Sequence, residues 1–305
     1  MSLPVSLKDA LRLPVVGAPL FIISNPDLVI EQCKAGIIGS FPALNARPVQ
    51  VLEEWLQTIT TTLEGYRTEN PNMKIAPFAV NQIVHSSNDR LAHDVEMCKK
   101  YKVPIQITSL RAPDEVVASA HSYGGLVFHD VTNIKHAKRA LQAGVDGLIL
   151  VCAGAGGHAG TLSPFALVSE VREFYDGPIL LSGAIANGAS ILAAQALGAD
   201  LAYMGTRFIA TKEANASDEY KQAIVEAPSE RIVYTNLFTG VHGNYLSASV
   251  EKAGLDPNNL PVADKSKMNF GSGGNTKAKA WRDIWGAGQS CGPVHDVPTV
   301  SELVD

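Results

Sequence analysis

Short runs of consecutive apolar residues recur along the chain, and between them the apolar positions return every three or four residues. Strands buried on both faces of a parallel sheet read as the first pattern, and the helices that cover such a sheet read as the second. The apolar runs begin near Val15, Ile37, Ile75, Val103, Leu126, Leu148, Ile179 and Leu201. They stand about 20 to 40 residues apart, room for one strand and one helix each. The junctions repeat as well. Asn25 and Pro26 open a helix over Asp27 to Ala35 that stops at Gly36, as capping and the missing proline N–H favour. The segment Lys135 to Ala143, with Ile134, Ala137 and Leu141 on one face, stops at Gly144, and Ala189 to Leu197 stops at Gly198. In each case an apolar strand follows within a few residues. A longer helix is predicted over Val49 to Gly65, and another opens at Pro113 and ends near Gly124. Eight consecutive βα units predict a (β/α)8 TIM barrel, with a doubly wound open sheet as the alternative that periodicity leaves open.

The barrel is assigned to residues 1–212, and residues 213–305 have a different texture. Ser217 is placed to cap a helix over Asp218 to Ala227, Leu237 to Lys252 reads as either element, and Met268 to Lys277 has no periodicity. Ala278 to Trp285 reads as helical and gives way to a turn over Gly286 to Ser290. The expectation is a C-terminal, mainly helical appendage that packs on one end of the barrel, with no linker between them.

Composition narrows the classes of function. Among 305 residues, 46% are hydrophobic and the net charge is −5, so no basic surface points to nucleic acid or anionic lipid. No apolar run reaches the length of a membrane span, and the first residues lack a secretory profile, so a cytoplasmic protein without membrane partners is expected. Cys33, Cys98, Cys152 and Cys291 are widely spaced, which suggests neither a metal site nor a disulfide framework.

In a barrel the chemistry gathers at the carboxyl ends of the strands. Here those ends read Gly17-Ala18-Pro19, Val80-Asn81-Gln82, Thr108-Ser109 and His129-Asp130 for the first, third, fourth and fifth strands. The sixth runs into Gly154-Ala155-Gly156-Gly157-His158, a loop with almost no side-chain bulk and one group able to carry a proton near neutrality. Ser182-Gly183-Ala184 and Met204-Gly205-Thr206 end the seventh and eighth strands, where barrels often hold a phosphate. The glycines after the sixth strand also fit a loose dinucleotide fingerprint. That motif should open a helix in the first βαβ unit, which Thr161 to Pro164 and the position in the chain argue against.

Gly156-Gly157-His158-Ala159-Gly160, Pro178 to Gly183, Ala196 to Asp200, Met204-Gly205-Thr206-Arg207-Phe208 and the ending Trp285 to Gln289 with Asp296 to Val300 resemble the nitronate monooxygenase family, formerly 2-nitropropane dioxygenases. The likeness implies an FMN-dependent (β/α)8 barrel. It implies FMN phosphate on Ser182, Gly183, Ala184, Gly205 and Thr206, with Met204 beside them. The ring would lie against Ala18, Pro19, Leu20, Asn81, Gly156 and Gly157, with Gln289 closing over it. His158 matches the family's active-site histidine. Where the family commonly has a lysine near the flavin, this chain has Asp130, which cannot stabilise an anionic reduced ring as a cation does.

The resemblance implies oxidation of a nitronate, or a similar stabilised anion, with O2. FMN-dependent enoyl reductases share much of the pattern, so NAD(P)H-linked reduction is the alternative. A flavin-free barrel that binds a phosphorylated metabolite is a further one. A homodimer is compatible with all three. Tyr245 and Trp285 are candidates for either the substrate wall or the core, and Cys152 reads as packing.

Overall fold

The computed structural model describes residues 3–263 and 283–305. Eight parallel strands follow in chain order: β1 (Val15–Gly17), β2 (Gly39–Pro42), β3 (Phe78–Val84), β4 (Ile105–Leu110), β5 (Leu126–Val131), β6 (Gly147–Val151), β8 (Ile179–Ser182) and β9 (Leu201–Met204). The remaining early strand, β7, is the two-residue Gly157–His158. The sheet runs β1-β9-β8-β6-β5-β4-β3-β2, and a parallel bridge from Val16 to Ile38 joins its two edges. The sheet is therefore a closed barrel, as the periodicity predicted.

Alternation along each strand divides the side chains between two layers. Val16, Ile38, Ile107, Phe128, Ile149 and Leu180 belong to the cluster that fills the barrel interior. Leu3, Leu7 and Leu11 join that cluster from around helix α1 (Val5–Ala10), so the N-terminal end is plugged and the carboxyl end is the one that stays open. The alternate residues, such as Leu148, Leu150, Ile179 and Leu181, pack outward against the surrounding helices.

Those helices are α2 (Pro26–Lys34), α3 (Val51–Glu69), α4 (Leu91–Lys100), α5 (Asp114–His121), α6 (Ile134–Gln142), α7 (Pro164–Arg172) and α8 (Gly188–Leu197). The predicted cap at Asn25 is made, its Oδ1 accepting from Leu28 N–H; the structure adds two more, with Asn133 Oδ1 accepting from His136 N–H and Asn187 in a reciprocal box with Ser190. After β9 come α9 (Thr206–Ile209) and α10 (Asp218–Glu226), the latter capped by Ser217 as expected. The ambiguous stretch from Leu237 to Lys252 holds one strand and one helix. β10 (Ile232–Thr235) and β11 (Gly243–Leu246) form an antiparallel hairpin, α11 (Ser247–Lys252) follows, and α12 (Val300–Val304) ends the chain. β11 also pairs with β7, so the hairpin is stitched onto the loop after β6. The helix expected over Ala278 to Trp285 falls mainly outside the described residues.

One buried ion pair supports the open end. Arg90, just before α4, donates to Ala46 O at 2.7 Å and Ala43 O at 3.3 Å, and pairs with Asp94 at 3.1 Å. Asn45, in the segment thus held, donates to Leu20 O and Ser24 O and accepts from Ile22 N–H. The loops after β1 and β2 are in this way fixed to each other and to α4. Arg90→Met removes the cation and leaves the Asp94 carboxylate buried, which should cost about 3–5 kcal/mol. Urea denaturation measures this, and an unchanged unfolding midpoint would show that the pair does not hold these loops.

Candidate active site

A cavity of about 790 Å³ occupies the open end of the barrel. Its floor is made at or just past the carboxyl ends of the strands, from Ala18 after β1 round to Gly205 after β9. One wall is apolar, with Leu20, Phe21, Ile22 and Leu44 from the loops that Arg90 supports. The opposite wall comes from the C-terminal part, where Trp285 stacks on Tyr220 with ring centroids 5.0 Å apart. Tyr245, the other aromatic candidate, is 1% exposed in a core cluster.

Of the residues assigned to cofactor or catalysis from the sequence, eleven line this one cavity: Ala18, Pro19, Leu20, Asn81, Asp130, Gly156, Gly157, His158, Ser182, Gly205 and Thr206. Gly183 and Ala184 lie in the loop beyond Ser182, and Met204 faces outward into the core between barrel and helices. Gln289 is not on the cavity wall. Its N–H donates to Gly154 O at 2.9 Å, and its side-chain oxygen stands against Gly154.

The loop after β6 is held by backbone contacts. A Cβ at Gly156 would come within 2.7 Å of Gly288 N and 2.9 Å of Ala287 C, so this glycine is required by the C-terminal segment packed on it. Asn244 Nδ2 donates to Ala155 O at 2.7 Å, and Gly288 N–H donates to Thr206 Oγ1 at 2.8 Å. No helix opens at these glycines, which disposes of the dinucleotide fingerprint; the chain goes into β7 instead.

β7 carries His158 opposite Gly243 of β11. His158 Nε2 lies 3.1 Å from Thr239 Oγ1. The Thr239 hydroxyl donates its single proton to Val241 O at 2.9 Å and accepts from Val241 N–H. With that proton so used, the hydroxyl is placed to accept from Nε2–H of His158, the tautomer that leaves Nδ1 as the basic ring atom. Burial pushes the imidazole down to about 4, so the ring is neutral across the physiological range. Thr239 was not anticipated, because it lies 81 residues away in a stretch whose pattern is mixed. The only local signal is a glycine turn, Gly240, between two short runs of strand-forming residues.

Beyond β8 and β9, the backbone N–H groups of Gly183, Ala184, Gly205 and Thr206 have no acceptor among the described residues. Gly183 and Ala184 take φ of 143° and 55°, and the second is a conformation that a residue with a Cβ rarely adopts. Strain of this kind persists only where neighbours enforce it. Together with the Ser182 and Thr206 hydroxyls, these groups make the ends of β8 and β9 rich in donors.

On the other side of the floor, Asn81 Nδ2 donates to Ser109 Oγ at 3.0 Å, and Ser109 Oγ donates to Asp130 Oδ2 at 2.6 Å. Burial pushes the Asp130 carboxyl up to about 6 against the opposing Ser109 hydrogen bond. His129 points away from the cavity, bonds Thr108 Oγ1 at 2.8 Å, and is pushed down to about 4 by burial and, secondarily, by His136. Burial raises the Cys152 thiol to about 12, which suits packing and not a nucleophile. Among the described residues no cluster of metal-ligating side chains occurs and no helix is long and apolar enough to cross a membrane.

A closed parallel barrel with a roomy cavity over its carboxyl ends, a proton-carrying side chain and an anion-ready corner has the architecture of a barrel enzyme acting on small molecules. The family model for nitronate monooxygenase matches residues 6–305, and the chain belongs to that oxidoreductase family. It is 26% identical over 337 aligned positions to the nitronate monooxygenase of Paraburkholderia phytofirmans, covering 95% of this chain and 90% of that one. A nitroalkane oxidase from Streptomyces ansochromogenes has the same fold at TM-score 0.78, with 24% identity, 98% of this chain and 95% of that one covered. FabK from Thermotoga maritima matches at TM-score 0.75 and 22% identity, over 99% and 94% of the two chains.

The titrating groups have opposed effects on stability. His129 and His158 have folded values near 4 against an ordinary 6.5, so between these the unfolded chain binds protons that the folded one does not. Stability is lost as pH falls through that window, by about 3 kcal/mol for the buried His129 and by less for His158, which is half-buried on the cavity wall. Asp130 acts the other way, because its raised value favours the folded state as pH falls from about 6 towards 3.8. Two groups against one give a net loss. Urea midpoints should fall on acidification from pH 6.5 to 4; a constant midpoint would contradict the buried neutral imidazoles.

Proposed function

We propose that this chain binds FMN across the open end of the barrel and oxidises alkyl nitronates with O2 at His158. The observation that carries the reading is one cavity that holds the Ser182 and Thr206 hydroxyls, backbone N–H groups of Gly205 and Thr206 without an acceptor among the described residues, and the imidazole of His158. Membership of the nitronate monooxygenase family supports the same reaction.

The residues fit the cofactor. Free N–H groups at Gly183, Ala184, Gly205 and Thr206, with the Ser182 hydroxyl, suit a phosphate, and the corner needs no lysine to do so. Ala18, Pro19 and Leu20 on one side, and Gly157 on the other, offer a flat-sided slot. A Cβ at Gly157 would meet nothing within 4 Å, so space is open there. Gly156, Asn81 and Asp130 complete the surroundings of the ring on this reading, while Met204 and Gln289 support them from behind. When bound, FMN supplies an acceptor for the substrate's electrons, which O2 then takes up.

The protein's own part is position, dryness and one proton. The Thr239 hydroxyl and the β7–β11 pairing fix the ring plane of His158. With Nε2 carrying the proton, Nδ1 takes the proton from a neutral nitroalkane, or accepts from the protonated nitronate and orients it. A neutral base is available over most of the pH range, because protonation waits until about pH 4. Phe21, Leu44 and Trp285 exclude water around the alkyl part.

Purified protein should be yellow, and the flavin it releases on heating should be FMN; colourless protein that takes up no FMN contradicts the reading. His158→Ala should keep the flavin spectrum while turnover with a nitroalkane falls about 10²-fold or more. Unchanged turnover in that variant would remove His158 from the reaction.

A further inference from the structure

Asp130 is a carboxylate in a cavity into which, on the reading above, an anion must come. It is the penultimate residue of β5, on the same strand face as Phe128, which belongs to the barrel interior, and it lines the cavity. Three adjacent strand ends organise it: Asn81 on β3 donates to Ser109 on β4, and Ser109 donates to Oδ2. Oδ1 is buried and has no hydrogen-bond partner among the described residues. Among the described residues no lysine or arginine shifts this carboxyl; burial and Ser109 act on it, in opposite directions. Among the groups around it, Tyr203 on β9 is buried and its phenol is pushed well above its ordinary value, first by burial and then by the Asp130 charge. His129 on the same strand faces away to Thr108, β6 contributes the apolar Val151, and among the described residues the other charged or titratable groups on the cavity wall are His158, His136, His242, Arg47 and Tyr220.

A buried carboxylate without a counter-charge holds its proton loosely bound or just lost near neutrality, so a second negative charge nearby tips it toward the acid. We propose that Asp130 takes up one proton when an anion enters the cavity, so that anion binding and protonation of Asp130 are a single event. The proton comes from solvent and goes onto Oδ1, while Oδ2 continues to accept from Ser109. The entering negative charge is thereby offset, and the cavity's net charge is the same before and after. A neutral ligand draws no proton. This chain therefore binds its anion without a cation on the floor, at the expense of affinity that declines in alkali.

The inference rests on the anionic-substrate reading, and its failure is separable from the failure of that reading. The test uses the flavin-loaded full chain and inorganic nitrite as the anion. Isothermal titration in two buffers of different ionisation heat should give an uptake of more than half a proton per nitrite at neutral pH. Between about pH 7 and 8.5 the nitrite affinity should fall towards tenfold per pH unit. Asp130→Asn should bind nitrite with no proton uptake and with an affinity that does not change with pH. Ser109→Ala keeps the carboxyl but removes the donor that favours its charged form, so its affinity curve should move to higher pH; this variant serves if Asp130→Asn does not fold. His136→Gln should keep the wild-type slope. The proposal is overturned by nitrite binding without proton uptake in the wild type, by a slope that survives in Asp130→Asn or vanishes in His136→Gln, or by no nitrite binding to flavin-loaded protein. Protein that carries no flavin would instead count against the cofactor reading.

Discussion

Backbone lies directly on backbone where the loop after β6 meets the C-terminal segment, and the cavity depends on that contact. Gly156 stands so close to Ala287 and Gly288 that no side chain fits between them. The same approach lets Gln289 N–H reach Gly154 O and Gly288 N–H reach Thr206 Oγ1, joining the ends of β6 and β9 through the C-terminal segment. The hairpin β10–β11 then adds β7 as a third strand, which carries His158 over the barrel mouth. A methyl group at residue 156 would force these three pieces apart. The glycines of this loop thus serve two neighbours. Gly156 admits the C-terminal segment, and Gly157 leaves the cavity side open.

Burial sets the electrostatics of the site more than charge pairing does. His158 is kept neutral by desolvation, and Asp130 is kept near its titration point by desolvation against a single hydroxyl. The strong ion pair of this end, Arg90 with Asp94, lies outside the cavity and acts on the loops that form its apolar wall. Such a division keeps full charges off the reacting groups and lets small changes in occupancy alter protonation.

The barrel was legible because its signals are local. The apolar runs are buried in the sheet, and some helices announce themselves by a cap or a glycine stop, as Asn25, Ser217 and Gly198 show. That eleven of the predicted positions would meet in one cavity was legible too, since a barrel brings every strand's carboxyl end to one place whatever the loops do. What was not legible depends on pairing across long separations. Thr239 sets the His158 tautomer only because β11 finds β7, and two residues of β-strand have no pattern of their own. Gln289 was expected over the ring and stands against Gly154 instead, because its position follows from the backbone contact at Gly156. Arg90 gave no signal: a charged residue before a helix reads as solvent-facing until its carbonyl partners 44 and 47 residues away are known.

The central claim is that this cavity passes electrons from a nitronate to a bound flavin. Anaerobic mixing of the flavin-loaded protein with an alkyl nitronate, followed by admission of air, tests it most directly. The account predicts rapid bleaching of the flavin by the nitronate and full return of colour with O2. Bleaching by NADH or NADPH, with none by the nitronate, would contradict it and make the protein a reductase.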